Sequence, residues 1–147
     1  MLEINNLTNF SVDKKFFSTV AKKVLLGENR ETETISLAFV GKEEIQKLNK
    51  TFRKKNKPTD VLSFELKDPP SHKASEGQDE NYLGEIVICP DIVKENAEKY
   101  KVSFEYELTK VFVHGILHLC GYDHEKSEEE AEIMEKKQDL YLSSLKL

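Results

Sequence analysis

The stretch Val111–Glu125, VFVHGILHLCGYDHE, carries three of the four histidines in the chain. It reads as the end of a long helix that starts at Ser103, a suitable N-cap, and runs to Leu119. Gly121 can adopt φ > 0, so it ends that helix and turns the chain sharply. His114 and His118 are four residues apart, and on a helix their imidazoles project from one face about one turn from each other. Two ring nitrogens in that relation can both reach one metal ion at roughly 2.0–2.1 Å. Beyond the turn, His124 can fold back onto the same ion as a third ligand.

The spacing His-x-x-x-His-x-x-Gly-x-x-His is that of the long zinc motif of metzincin proteases. Those enzymes place a glutamate directly after the first histidine as general base, whereas here that residue is Gly115. The ligand geometry is kept and the usual proton acceptor of peptide hydrolysis is missing. A structural metal site would be closed by a fourth protein ligand. Cys120, the nearest candidate, should point away from the histidine face, and His72 falls in a polar connecting segment and reads as a surface residue. Three ligands and an open position make the catalytic arrangement, in which bound water is acidified toward neutral pH. Three neutral imidazoles also leave the +2 charge of a zinc ion uncompensated, which favours an anionic substrate such as a phosphodiester.

Outward from this segment, helices alternate with short strands. A helix is expected from about Asp13 to Leu26, with Phe16, Phe17, Val20, Ala21, Val24 and Leu25 as its apolar stripe and Gly27 as its stop. Thr32–Val40 reads as a strand, and Lys42–Lys54 as a helix burying Ile45, Leu48 and Phe52. Val61–Leu66 and Leu83–Cys89 read as strands joined by the polar loop KDPPSHKASEGQDENY, expected to be mobile. Pro90 opens a helix through Tyr100. Ser127-Glu128-Glu129-Glu130 is a capping-box sequence opening a last helix with Ala131, Met134, Tyr141 and Leu145 on one side. Counting LEIN at the start as a strand, about four strands and five helices make an α+β fold, a small mixed sheet packed with helices.

At 147 residues the chain fits one domain, residues 1–147, large enough to bury a proper core without staples. No apolar run approaches the roughly 18 residues of a membrane span, and MLEINNLTNF lacks the regions of a signal peptide, so a cytoplasmic location is expected. Cys89 and Cys120 are too few for a disulfide framework and read as small buried residues. The 22 basic against 27 acidic side chains argue weakly against non-specific nucleic-acid binding. One segment reverses that balance: Lys47–Lys57, KLNKTFRKKNK, has six cations and no acid in eleven residues. Such a patch is the electrostatic footprint expected for a nucleic-acid backbone, and Arg53 is singled out because guanidinium contacts phosphate in a bidentate way that lysine cannot. The acidic run Glu125–Glu135 needs no function of its own, since carboxylates in the first turn complement a helix dipole.

Three separated stretches closely resemble the YbeY family of bacterial endoribonucleases. His114–His124, HGILHLCGYDH, matches the family signature HGxLHLxGYDH; Asn49 and Arg53 lead into Thr59–Phe64, TDVLSF; and Gly84–Pro90, GEIVICP, is similar to the family's GDIxIxP strand, with Glu85 where aspartate is usual. The resemblance implies a mixed α/β domain with a zincin-like site that binds one metal, zinc, through His114, His118 and His124. It implies that Arg53 lies in a positively charged cleft and acts on RNA, with His114 also part of the reacting centre. It further implies cleavage of single-stranded RNA in maturation of the small-subunit rRNA 3′ end and in ribosome quality control, with rRNA or ribosomal particles, and a ribosomal protein, as partners. The phosphate would sit between the metal and Arg53, with either a metal-bound water or the ribose 2′-hydroxyl as nucleophile. Asp123 and Glu85 are each a candidate to orient a histidine or relay a proton, or else a cap or surface residue. Two other readings stand beside this one: a metallopeptidase, which Gly115 disfavours, and a ribosome-assembly factor whose metal is structural.

Overall fold

A computed structural model describes residues 1–65 and 81–145. Along the chain the elements are β1 (Leu2–Asn6), α1 (Lys14–Gly27), β2 (Thr34–Phe39), α2 (Lys42–Arg53), β3 (Val61–Glu65), β4 (Tyr82–Ile88), α3 (Pro90–Tyr100), α4 (Phe104–Leu119) and α5 (Glu128–Ser144). The connection expected to be mobile, with His72, lies outside the described residues except for Asn81 and Tyr82, and Tyr82 belongs to β4 rather than to the loop.

The four strands form one sheet in the order β1-β2-β4-β3, in which β1, β2 and β4 run parallel and β3 pairs antiparallel with β4. Both faces of the inner strands are covered, so β2 reads as a nearly continuous apolar run rather than an alternation. Ile35, Leu37, Phe39, Ile86 and Ile88 join a core with residues of α1 and α4. Ala38, Val40, Leu62, Phe64, Val87 and Cys89 form a second core on the opposite face with Ile45 and Leu48 of α2. The fold is thus α+β, a four-stranded mixed sheet with five helices. None of the described helices is long and apolar enough to cross a membrane.

Helix α4 is the centre of the larger core, packing on β3, β4, α1, α3 and α5. Its start is capped as the sequence suggests, the Ser103 side chain accepting from the Tyr106 amide at 3.0 Å. Gly115 lets it lie close to the sheet: a Cβ at that position would stand 2.9 Å from Cγ2 of Ile86. Gly27 differs from expectation. It lies within α1, and the left-handed residue that closes this helix is Asn29, with φ 61°. The glycine is there for space, because a Cβ would overlap the Tyr141 hydroxyl of α5.

Candidate metal centre

The end of α4 is a Schellman motif: the Tyr122 amide donates to Leu117 O at 3.1 Å and the Gly121 amide to His118 O at 3.0 Å. Gly121 supplies the positive φ, 107°, that this closure requires. The chain then doubles back, and the Asp123 carboxylate accepts from the Glu125 amide at 2.9 Å to hold the turn. His124 is thereby returned to the face of α4 that carries His114 and His118. The three ring centroids lie 4.7, 5.1 and 5.0 Å apart, and one ligand atom from each ring can be chosen so that all lie within 4.8 Å of one another. Nδ1 of His124 is 3.1 Å from Nε2 of His118. Two nitrogens on one tetrahedral ion at roughly 2.0–2.1 Å stand about 3.3 Å apart, so the cluster has the dimensions of a ligand set.

The chemistry of the donors agrees. Burial pushes the His118 imidazolium down to about 4, helped by the neighbouring His114 and His124, against the raising effects of Asp123 and the Tyr122 backbone. Burial also lowers His114, against a hydrogen bond with Gln138 that raises it. Both rings are therefore neutral at pH 7 with a lone pair to offer. Which nitrogen of His114 offers it is set by α5: Nδ1 lies 2.9 Å from Oε1 of Gln138, so Nδ1–H donates there and Nε2 is left for a metal. Gln138 is 7% exposed, and it sits on the buried side of α5 between Met134 and Tyr141.

A second group braces the centre from behind. Glu28, at the end of α1, accepts from the Tyr122 hydroxyl at 2.8 Å and from the Tyr141 hydroxyl at 2.5 Å, with the Lys137 ammonium at 3.5 Å. Burial would raise its carboxyl, but the two tyrosines and Lys137 outweigh that and hold it below the ordinary carboxylate range. One side chain thus ties α1 to the turn carrying His124 and to the helix carrying Gln138.

No fourth histidine, cysteine or carboxylate joins the three histidines among the described residues. Cys120 is half-buried beside Arg30 and Glu28, its thiol pushed up to about 11 by burial. Glu85 is 2% exposed on the far face of the sheet: its neighbour Ile86 faces Gly115, so Glu85 points the other way, opposite Ser36 and Phe64 in the ladder. It does not join the histidines, whereas Asp123 does bear on His118. Position 115, where a zinc peptidase has its glutamate, faces Ile86 and offers no room for a proton acceptor.

Arg53 sits at the C-terminal end of α2, stacked over Phe64 with its guanidinium carbon 5.0 Å from the ring centroid. It donates to Ser63 O at 2.6 Å and to Phe52 O at 3.1 Å, which leaves three of five N–H donors for a ligand. Among the described residues no hydrogen bond or ring contact joins it to a histidine. The link is indirect, through Ser63, whose hydroxyl donates to Gly115 O at 3.4 Å, beside His114. The lysines around Arg53 are exposed, and buried Asn49 fixes the loop that carries them by donating to Lys57 O at 2.9 Å. On the other side of the centre, His114 and His124 open into a cleft of about 450 Å³.

The family model for Endoribonuclease YbeY matches residues 3–146. The chain belongs to the YbeY family. Endoribonuclease YbeY of Bdellovibrio bacteriovorus is 44% identical over 110 residues, which cover 75% of this chain and 65% of that protein. The counterpart in Persephonella marina is 38% identical over 130 residues, covering 88% and 81%. A Thermotoga maritima protein solved in solution superposes with a TM-score of 0.68 at 34% identity, over 97% of this chain and 87% of that one. In this YbeY chain each resembling stretch has a structural task. The histidine signature is the end of α4 and its Schellman turn. Asn49 and Arg53 build the basic corner, and Gly84, at φ 153°, brings β4 against Phe64, where a Cβ would overlap the backbone carbonyl. Sequence reasoning missed Gln138 and Glu28. The available signal for Gln138 was a polar residue interrupting the apolar side of α5; for Glu28, one residue after a glycine that ends a helix stripe, there was none.

Proposed function

We propose that this protein is a metal-dependent endoribonuclease that cuts single-stranded RNA in the cytoplasm, in maturation of the small-subunit rRNA 3′ end and in ribosome quality control. Residues 1–147 act as one YbeY-like hydrolase domain, with rRNA or ribosomal particles as substrate and a ribosomal protein as a further partner. The observation that carries the reading is the convergence of three imidazoles, without a fourth protein ligand among the described residues, at the edge of an open cleft. His114, His118 and His124 would hold one zinc ion. Such an ion supplies Lewis acidity toward a phosphoryl oxygen and acidifies water at neutral pH. Arg53 binds the phosphodiester through its three free donors, and Lys50, Lys54, Lys55 and Lys57 hold the flanking backbone. Gln138 keeps the His114 tautomer fixed while charge develops in the centre.

The test has two stages. Elemental analysis of tag-free protein should find about one zinc per chain, and little in His118→Ala. Single-stranded RNA should then be cut by the wild type and, at least about tenfold more slowly, by Arg53→Ala. A 2′,3′-cyclic phosphate on the product identifies the ribose hydroxyl as nucleophile. Stoichiometric zinc with no cleavage of any RNA, together with a loss of many degrees of thermal stability in His118→Ala, would replace this reading by a structural metal in an assembly factor.

A further inference from the structure

The cleft beside the histidines runs along α4 away from the turn, and its floor is set by the helix repeat. Glu107 precedes His114 by seven residues, so it lies on nearly the same stripe, two turns or about 10 Å along the axis. That distance is too long for a ligand or proton acceptor at the metal. It is close to the reach from the phosphorus of a nucleotide to the pairing edge of its base.

Glu107 is 3% exposed and lines the cleft. No donor among the described residues hydrogen-bonds to its carboxylate; Lys110 and Asp60 act on it only through space, and burial raises its pKa. A buried carboxylate without a hydrogen-bond partner is costly, and a cleft group that satisfies it repays that cost. Around it are Lys110, one turn along, and Asn96, whose amide is 3.5 Å from the Asp60 carboxylate. The Tyr100 ring, 54% exposed, stands at the mouth, and Val111 and Met134 form apolar wall. An aromatic platform, apolar walls and a few directed polar groups are what an unstacked nucleobase requires.

We propose that this cleft is a nucleobase subsite, selective for guanine, in which Glu107 accepts the N1–H and N2–H of the base while Lys110 donates to O6. The assignment rests on the endoribonuclease reading and adds sequence preference to it. Guanine alone among the four RNA bases presents two adjacent donors to a carboxylate, with an acceptor next to them where Lys110 can reach. Adenine and cytosine would set a ring acceptor against the carboxylate oxygens that take up both guanine donors, and uracil flanks its one donor with two acceptors. Tyr100 stacks on the base irrespective of its identity.

Single-stranded oligoadenylates carrying one guanosine, one inosine or no replacement should be cut beside guanosine at least about tenfold faster than beside adenosine, with inosine between. In Glu107→Gln the guanosine-to-adenosine ratio should fall to near one. Equal cutting at every base in the wild type, or a guanosine preference that survives in Glu107→Gln, overturns the subsite. A second readout does not use cleavage: 5′-GMP should bind the intact protein more tightly than 5′-AMP, followed by NMR shifts at Tyr100 and Glu107. Tyr100→Ala, a change at an exposed side chain, should weaken both nucleotides alike. RNA cut without base preference, with GMP and AMP bound equally, removes the subsite and leaves the nuclease. GMP selectivity that depends on Glu107 in a protein that cuts no RNA keeps the subsite and removes the nuclease.

Discussion

Replacing Gln138 by leucine removes one hydrogen-bond acceptor from behind the metal centre and changes little else in volume. In the wild type Nδ1–H of His114 donates to Gln138 Oε1 at 2.9 Å in a nearly closed environment, so the lone pair of Nε2 is presented before any ion arrives. With leucine the proton has no partner at Nδ1. Leaving it there costs about 1–3 kcal/mol, and moving it to Nε2 blocks the ligand atom. In both cases the metal-binding form is the one penalised, and supporting partners of this kind contribute about 10- to 100-fold in metal affinity, or about 1.4–2.7 kcal/mol. Competition with a chromophoric chelator at fixed pH measures that loss directly, with zinc as the probe. Gln138→Glu keeps an acceptor and makes it stronger, so it should bind at least as tightly as the wild type. Wild-type affinity in Gln138→Leu would show that α4 and the turn alone fix the His114 ring. An equal loss in leucine and glutamate variants would show that helix docking, not the acceptor, is what matters.

Gly115→Ala should destabilise the protein by about 1–3 kcal/mol, since its Cβ would meet Ile86 at 2.9 Å in a core without slack, and the cost read from urea midpoints should shrink in an Ile86→Ala background. Glu28 has a folded pKa below its ordinary 4.5, so its contribution is fully present above that value and is lost as pH falls through the folded pKa. Glu28→Gln should therefore be less stable than the wild type at neutral pH, with the gap between their denaturation midpoints closing well below pH 4.5; a constant gap would deny the ionised carboxylate its part.

What was legible in the sequence depended on periodicity and on residues with one physical meaning. The apolar spacing of α4, the Ser103 cap and the glycine after the helix give the element and its end, and from those the meeting of His114, His118 and His124 follows geometrically. Strand ends slipped by one or two residues because pairing partners, not composition, set them: Val40 continues the ladder hydrogen bonding beyond β2, and Cys89 beyond β4. Gly27 was legible as a break but not as a space for Tyr141, which comes from a helix more than a hundred residues away. Gln138 and Glu107 escaped for a shared reason. A polar residue on an amphipathic helix reads as solvated unless the neighbouring helix is known, and both are buried by neighbours that only the fold supplies. Glu85 was left open by its motif position, and strand alternation turns it away from the histidines.

The Glu28 brace has a consequence for the order in which the protein matures. All three histidines precede α5 in the chain, but the acceptor for His114 and one of the hydroxyls that hold Glu28 are on it. During synthesis at about 5–20 residues per second, the stretch from His124 to Tyr141 takes roughly one to three seconds to follow. In that interval the ligands exist without the helix that orients them. Until α5 closes over α4, His114 lacks its Gln138 acceptor, and that closing completes the core and fixes the His114 ring in one step.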